Sequence, residues 1–190
     1  MDFLYEYLVR NEEAITASLV ASALFTLILF SLRPRISISS NIAKYYNNKD
    51  NQIYYLIKIK NRSVFFRVYE VKAKLYKVSS LSTNNTSLNT IEDEIELKRS
   101  EFWMVSSFYF WHFLQWFKPD KRLNQRTDYC CVFGTKTDLE QLLKDNKHVM
   151  VEVYARHPLS GFARVSKMVF QHDTNIKEGH FLSGNTFRIM

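Results

Sequence analysis

The sequence predicts a mainly β domain that is tethered to a membrane by one N-terminal helix. A stretch of 19 residues without a charge lies near the N-terminus, and short segments of alternating apolar and polar residues follow it. Alternation with a period of two is typical of strands that are half buried in a sheet. About seven to nine such segments favour an antiparallel β-sandwich with one short helix, and a small β-barrel is the alternative.

The uncharged stretch, residues 14–32, predicts a transmembrane helix. At about 1.5 Å per residue it covers roughly 28 Å, which is close to the thickness of the hydrocarbon core. Pro34 ends the helix, and Arg33 and Arg35 suit the lipid headgroups at the membrane interface. A signal peptide is the alternative, but an acidic start and a long apolar run argue against it. We therefore expect a short extracytoplasmic N-terminus over residues 1–13.

Basic residues set the expected orientation of the helix. Arg10 precedes the span, whereas Arg33, Arg35 and Lys44 follow it closely. The positive-inside rule then places residues 36–190 in the cytoplasm, with the single span in the cell inner membrane. Small residues four apart on the helix allow a second helix to approach, which predicts a homo-oligomer. These small residues are Ala17, Ser18, Ala21 and Ser22.

The first half of the domain contains three predicted strands and one long loop. Residues 36–40, 53–60 and 64–78 alternate in polarity and predict strands. Residues 79–90 are rich in Ser, Thr and Asn and predict a polar loop. Residues 91–97 are a further candidate strand.

The second half predicts a helix between strands. A capping-box pattern opens a short helix over residues 138–144. Its neighbours are predicted strands over residues 127–133, 148–156 and 162–170, a turn over 176–179 and a last strand over 186–189.

Aromatic residues are concentrated in residues 101–118, which contain all three tryptophans: Trp103, Trp111 and Trp116. The run is short for a second span. Tryptophan-rich segments often lie at the headgroup level, so one interpretation is a segment at the membrane interface. Packing in the domain core is the alternative.

Lysine and tyrosine side chains on two predicted strands form a candidate ligand-binding set. Such a combination can bind a nucleotide or RNA, and the alternative is an ordinary solvated strand face. The first candidates are Lys58, Lys60, Lys72, Lys74 and Tyr76, and Arg67, Tyr54 and Tyr69 belong to the same combination.

The order of these elements resembles the immunoglobulin-like cytoplasmic domain of inward-rectifier potassium channels. The similarity runs through residues 57–62, 71–75 and 149–155, the turn at Ser160 and Gly161, and a final Gly179-His180-Phe181. It covers residues 36–189 and implies an immunoglobulin-like sandwich that assembles around an axis. The channels have two spans and a selectivity filter, whereas this chain has one span and no such filter. The resemblance therefore implies a fold without potassium conduction.

Charge and cysteine usage narrow the classes of partner. The net charge is +7, and the basic excess lies after residue 14. A basic surface suits anionic lipid, nucleic acid or an acidic partner, and the partners we expect are the bilayer and a protein or nucleotide ligand, with no DNA. Cys130 and Cys131 are adjacent, which does not suit a disulfide and fits a reducing compartment. The sequence predicts no metal site and no cofactor.

Catalytic motifs are missing from the sequence, which has no glycine-rich phosphate loop, G-x-S-x-G or H-E-x-x-H. We therefore predict a non-enzymatic protein whose cytoplasmic domain binds a partner or ligand. A second hypothesis is a bacterial antiviral-defence effector that senses a nucleotide signal and disrupts the membrane. An enzyme with an unfamiliar site is the third.

Overall fold

A computed structural model describes residues 12–63, 66–83, 87–107, 130–145, 147–184 and 186–190. This part of the chain contains two α-helices, ten strands and a short 3-10 helix, Asp173–Asn175. The α-helices are α1 (Glu12–Ser31) and α2 (Leu139–Lys144). The strands are β1 (Ile36–Ile38), β2 (Ile42–Asn47), β3 (Gln52–Asn61), β4 (Val68–Thr83), β5 (Ser87–Ile95), β6 (Glu101–Val105), β7 (Cys130–Thr135), β8 (His148–Arg156), β9 (Ala163–Phe170) and β10 (Ile176–Glu178).

Helix α1 is long and apolar enough to cross a membrane. Residues Glu12–Phe30 have a mean hydropathy of 1.9, and the domain buries none of them. Glu12 and Glu13 lie in the first turn, where negative charge interacts favourably with the helix dipole. One candidate span at this position agrees with the prediction from residues 14–32.

Two five-stranded sheets make up the rest of the fold, so the prediction of a mainly β chain is confirmed. Sheet A has the order β1-β3-β2-β10, and β7 also pairs with β3. Sheet B has the order β5-β4-β8-β9, and β6 also pairs with β4. All the pairs are antiparallel except that of β10 with β2.

One hydrophobic core joins the two sheets. Ile57 and Ile59 of sheet A belong to the same buried cluster as Leu75 of sheet B. Phe133 of β7 meets Phe102 of β6 edge to face, with ring centroids 5.2 Å apart. Leu139 and Leu143 of α2 complete the cluster. Since each strand alternates, the other half of its side chains faces away from this core.

Buried Asn61 ties several strand ends together. Its Nδ2 donates to the carbonyl oxygens of Phe66, Val105 and Ser106 at 2.9, 3.4 and 3.2 Å. Its Oδ1 accepts from the Ser63 backbone N–H at 2.8 Å. The end of β3, the end of β6 and the chain before β4 therefore meet at one side chain.

Helix α1 joins the domain at this same place, which we call the anchor end. The Arg35 N–H donates to Ser63 Oγ at 3.1 Å, and the Arg62 N–H donates to the Arg35 carbonyl at 2.7 Å. The Phe30 ring of α1 stacks on Phe162, which precedes β9, with centroids 5.2 Å apart. The opposite end, with the β2–β3 turn and α2, is called the far end.

The predicted loop over residues 79–90 is wrong. Strand β4 continues to Thr83, and β5 begins at Ser87; the two strands pair from Leu75↔Ile95 to Thr83↔Ser87. Ser and Thr side chains do not prevent a ladder, because the ladder satisfies backbone groups whatever the side chain. Residues 84–86 lie outside the described residues.

Three local predictions near α2 and the C-terminus also need correction. Asp138 is not the first helical residue but the N-cap, whose side chain accepts from the backbone N–H groups of Glu140 and Gln141. The predicted turn over residues 176–179 is strand β10, followed by Gly179 at a φ of 117°. The predicted last strand contributes a single bridge, Phe181↔Ile189.

Candidate ligand-binding groove

The outer face of sheet A carries an aromatic and apolar floor. Tyr45 of β2 and Tyr54 of β3 are cross-strand partners, and Leu56 is the partner of Gly134 in β7. These residues alternate with those that point into the core, so they face away from it. Val132 extends the same face along β7 and is 37% exposed.

A groove of about 270 Å³ lies over this floor. Its rim comes from the connection between β5 and β6, which begins and ends in sheet B and forms hydrogen bonds to β7 of sheet A. The Lys98 N–H donates to the Gly134 carbonyl at 2.8 Å, and Thr135 Oγ1 donates to the Glu96 carbonyl at 2.7 Å. The lining residues are Tyr45, Asn47, Tyr54, Leu56, Lys98, Arg99, Val132 and Gly134.

Gly134 sets the depth of the groove. A Cβ added there would lie 2.9 Å from Leu56 Cδ2. Any larger residue would therefore push the Leu56 side chain out of its place in the floor.

Positive charge lies close to Tyr54 and along the rim of the groove. Lys98 Nζ lies 4.9 Å from the Tyr54 ring centroid, and Lys136 Nζ lies 5.8 Å from it. Arg99 stacks over the Phe102 ring at 3.9 Å. Among the described residues no carboxylate forms an ion pair with these three cations. The Tyr54 hydroxyl donates to the Asp50 carboxylate at 3.1 Å, so this acid is bonded to the tyrosine and not to one of the three cations.

Tyr45 leaves the groove open on its other side. Its side chain is 38% exposed, and its ring meets His180 edge to face at 6.2 Å. The groove thus combines one accessible aromatic ring with uncompensated cations. That combination suits an anionic ligand with an apolar or aromatic part.

The C-terminal segment covers the remainder of this face, and two of the predicted ligand-binding residues lie under it. Lys58 is only 2% exposed, and its Nζ donates to the carbonyl oxygens of Leu182 and Gly184 at 2.6 and 2.7 Å. Lys60 Nζ lies 4.6 Å above the Phe187 ring. Burial lowers the pKa of both ammonium groups.

The other three first candidates of the predicted set lie on sheet B. Lys72 pairs with Glu101 at 3.7 Å, Lys74 pairs with Glu94 at 3.3 Å, and Tyr76 is half buried. The structure therefore does not bring Lys58 and Lys60 together with these residues. The open groove lies on a different part of the surface from both groups.

The predicted residues of the span lie on the surface of α1. They form two pairs one helical turn apart, and all four are exposed: Ala17, Ser18, Ala21 and Ser22. Arg33 and Arg35 are exposed where the chain leaves the helix, and the Arg33 guanidinium lies 5.0 Å from the Phe30 ring centroid.

The aromatic segment divides between the core and the surface where it is described. Phe102 points inward onto Phe133, whereas Trp103 is 72% exposed and meets Tyr69 edge to face at 6.2 Å. Trp111 and Trp116 lie outside the described residues. Core packing is therefore the arrangement of Phe102, and a position at the membrane interface stays a prediction for Trp103.

A charged network at α2 has a structural role. Glu140 accepts from Lys144 and Lys44, each at 2.6 Å, and these hydrogen bonds lower the pKa of its carboxyl to about 2. The Tyr55 hydroxyl donates to Asp138 at 2.6 Å, which lowers the pKa of the Asp138 carboxyl. These contacts fasten the helix to sheet A.

No protein-family model matches this chain, and no curated protein is significantly similar to it. Within the described residues no group of three or more His, Cys, Asp or Glu side chains is arranged to hold a metal ion.

Sequence reasoning missed Tyr45, Lys98 and Arg99, and it grouped Tyr54 with the lysines of the predicted set instead of with these residues. The available signals were tyrosine doublets on both arms of the β2–β3 hairpin and a Lys-Arg doublet after β5. None of these signals is specific, because only the strand register brings them together.

Proposed function

We propose that this protein is a single-pass, membrane-anchored and non-enzymatic binding protein that recognises a ligand in the groove on sheet A. The observation that supports this most is the juxtaposition of exposed Tyr45 with Lys98 and Arg99, which have no described acidic partner. Cations next to an aromatic ring favour an anionic ligand that also presents a ring or an apolar group. A nucleotide has both features, and so does an acidic protein segment with an aromatic residue.

The fold proposed for this domain is an immunoglobulin-like β-sandwich. Its support is the core shared by sheets A and B, together with the resemblance of the sequence to the channel domains. The proposed location is the cytoplasmic side of the inner membrane, because Arg33, Arg35 and Lys44 follow the span. The exposed faces of Ala17, Ser18, Ala21 and Ser22 leave room for a second copy, so we also propose a homo-oligomer.

Ligand titration of the full chain in a mild detergent tests the groove. A panel of nucleoside monophosphates and dinucleotides is added while tyrosine and tryptophan fluorescence is recorded. The expected result is saturable binding by at least one nucleotide, weakened at least tenfold by Tyr45→Ala or by Arg99→Gln. Tyr46→Ala is the matched control, because Tyr46 is the next residue of β2, is exposed and lies outside the groove. Equal binding by all these variants would contradict the proposal.

A second candidate function is an antiviral-defence effector in which ligand binding disrupts the bilayer. The observation that favours it is an exposed tryptophan near the anchor end. Trp103 lies on β6, two residues before Val105, and the Val105 carbonyl accepts a hydrogen bond from Asn61. Dye leakage from vesicles that contain the full chain would follow addition of the ligand, and Trp103→Ala would reduce it. If the vesicles stay intact while the ligand occupies the groove, the effector function is contradicted and the binding function alone is retained.

A further inference from the structure

We propose that the anchor end of the domain docks on an anionic phospholipid surface through a collar of arginines. This inference rests on α1 being a membrane span and not on the groove. It adds to the anchor a second, electrostatic contact that fixes how the domain stands on the bilayer.

Six exposed arginines are gathered at the anchor end. They come from five separate stretches of chain, so no single sequence run reveals them. The collar consists of Arg33, Arg35, Arg62, Arg67, Arg156 and Arg164.

The strand registers place these arginines together. Arg35 precedes β1 and hydrogen-bonds to Arg62, which follows β3. Arg67 precedes β4, and Arg156 at the end of β8 is the cross-strand partner of Tyr69 near the start of β4. Arg164 in β9 lies opposite Ala155.

Acidic side chains neutralise almost none of the positive charge of the collar. Glu70 is the one described acid among these strand ends, and it pairs with Arg156 at 3.5 Å. No described carboxylate forms an ion pair with any of the other five arginines. Guanidinium groups bind phosphate in a bidentate manner, and they are more weakly hydrated than ammonium groups. Uncompensated arginines next to a span therefore match phospholipid headgroups.

The β8–β9 turn lies at the level where α1 leaves the membrane. Phe30 lies in the last turn of α1, so in the bilayer its ring is at the interface. Phe162 stacks on that ring, which holds the turn at the same level. Leu159, three residues before Phe162, is 70% exposed. An exposed leucine flanked by arginines suits the boundary between headgroups and acyl chains.

The turn is built rigidly enough to present Leu159. The His157 ring is buried, packs edge to face on Phe66 with centroids 4.8 Å apart, and accepts at Nδ1 from the Ser160 N–H at 3.2 Å. Gly161 has a φ of 68° and donates its N–H to the His157 carbonyl at 3.1 Å. These contacts close the turn around the leucine.

The experiment uses the full chain in lipid nanodiscs with an environment-sensitive dye on Leu159→Cys. Cys130 and Cys131 are buried, so the dye labels the new cysteine selectively. The dye emission is expected to shift to the blue in discs of phosphatidylcholine with phosphatidylglycerol. The shift should be smaller in phosphatidylcholine alone, and salt should reduce it.

Two triple variants with equal loss of charge test the collar. Arg62→Gln, Arg67→Gln and Arg164→Gln together should abolish the dependence on phosphatidylglycerol, since each neutralised arginine weakens attraction to an anionic surface roughly five-fold. Lys49→Gln, Lys144→Gln and Lys177→Gln together should keep it, because these lysines lie away from the anchor end.

Three outcomes would overturn the proposal. The first is that the dye on Leu159→Cys, in a chain with all its arginines, emits identically with and without phosphatidylglycerol. This outcome does not depend on whether the arginine variants fold. The second is an equal loss in both triple variants. The third is a full blue shift in phosphatidylcholine discs on addition of inorganic phosphate, which would mean that the arginines recognise free phosphate and not a lipid surface.

Discussion

The two ends of the β domain carry charge in opposite ways. Around α2, the far end has lysines that are paired with acids: Lys44 and Lys144 with Glu140, and Lys147 with Asp145. The anchor end uses arginines, and Arg156 alone has a described acidic partner. Paired charges on the far end suit contact with water, where single ion pairs add little stability. The arginines of the anchor end that have no acidic partner would be neutralised by anionic headgroups lying against them.

The two ends are also held together differently. At the anchor end neutral hydrogen bonds converge on buried Asn61, whereas at the far end charged groups fasten α2 to sheet A. A buried amide with several partners is costly to remove, and an exposed ion pair is not. The comparison therefore predicts that stability depends on the anchor end much more than on the far end.

The largest effect is expected from Asn61→Ala. The substitution leaves the carbonyls of Phe66, Val105 and Ser106 and the N–H of Ser63 without this partner. Unfolding of the full chain in detergent by urea should show a loss of about 3 kcal/mol. Asn48→Ala, in the exposed β2–β3 turn, should change the free energy of unfolding by less than about 0.5 kcal/mol. Equal effects of the two variants would remove the distinction between the ends.

A smaller effect is expected from Lys58→Met. This variant tests how the C-terminal segment is held on the outer face of sheet A. The change removes both hydrogen bonds to the carbonyls of Leu182 and Gly184 and should cost about 2 kcal/mol. Backbone amides of His180 and Leu182 should then exchange with deuterium faster, because their segment loses its attachment. Lys74→Met, at an exposed position of sheet B where the lysine pairs with Glu94, is the control and should leave exchange there unchanged. Unaltered exchange in the Lys58 variant would show that the segment is held by other contacts.

The smallest effect is expected from Glu140→Gln at the far end, and it depends on pH. The folded-state pKa of Glu140, about 2, lies below the ordinary 4.5, so its contribution is complete above pH 4.5 and is lost as pH falls towards 2. At neutral pH the variant should lose less than about 1 kcal/mol, since the pair is accessible to solvent. Between pH 4.5 and 2 the stability of the variant should fall less steeply than that of the parent. Parallel pH curves would mean that the ion pairs do not form in solution.

Parts of the fold that depend on local alternation were predictable from the sequence. Residues 148–156 and 162–170 become β8 and β9 almost without change, because their apolar residues repeat with the period of a strand. The prediction for residues 91–97 found the second half of β5. The first half was missed because residues 87–90 are mostly polar, and its pairing with β4 depends on the register of the backbone.

The site was much less predictable than the fold. Alternation does place Lys58 on the outer face of β3, but it does not reveal that residues 182–184 fold back over that face. Tyr45 and Tyr54 meet through the β2–β3 register, and Lys98 and Arg99 reach them from a connection that begins in the other sheet. The collar is missed for the same reason, since its arginines come from five separate stretches of chain.

The most direct test of the two-ended arrangement is the membrane depth of one label at each end. Spin labels on Leu159→Cys and on Asn48→Cys are compared in the full chain, in vesicles that contain phosphatidylglycerol, by their collisions with oxygen and with a water-soluble nickel complex. The label at residue 159 should collide with oxygen and be protected from nickel, and the label at residue 48 should be fully accessible to nickel. Equal nickel accessibility at both positions would show that the anchor end does not face the bilayer.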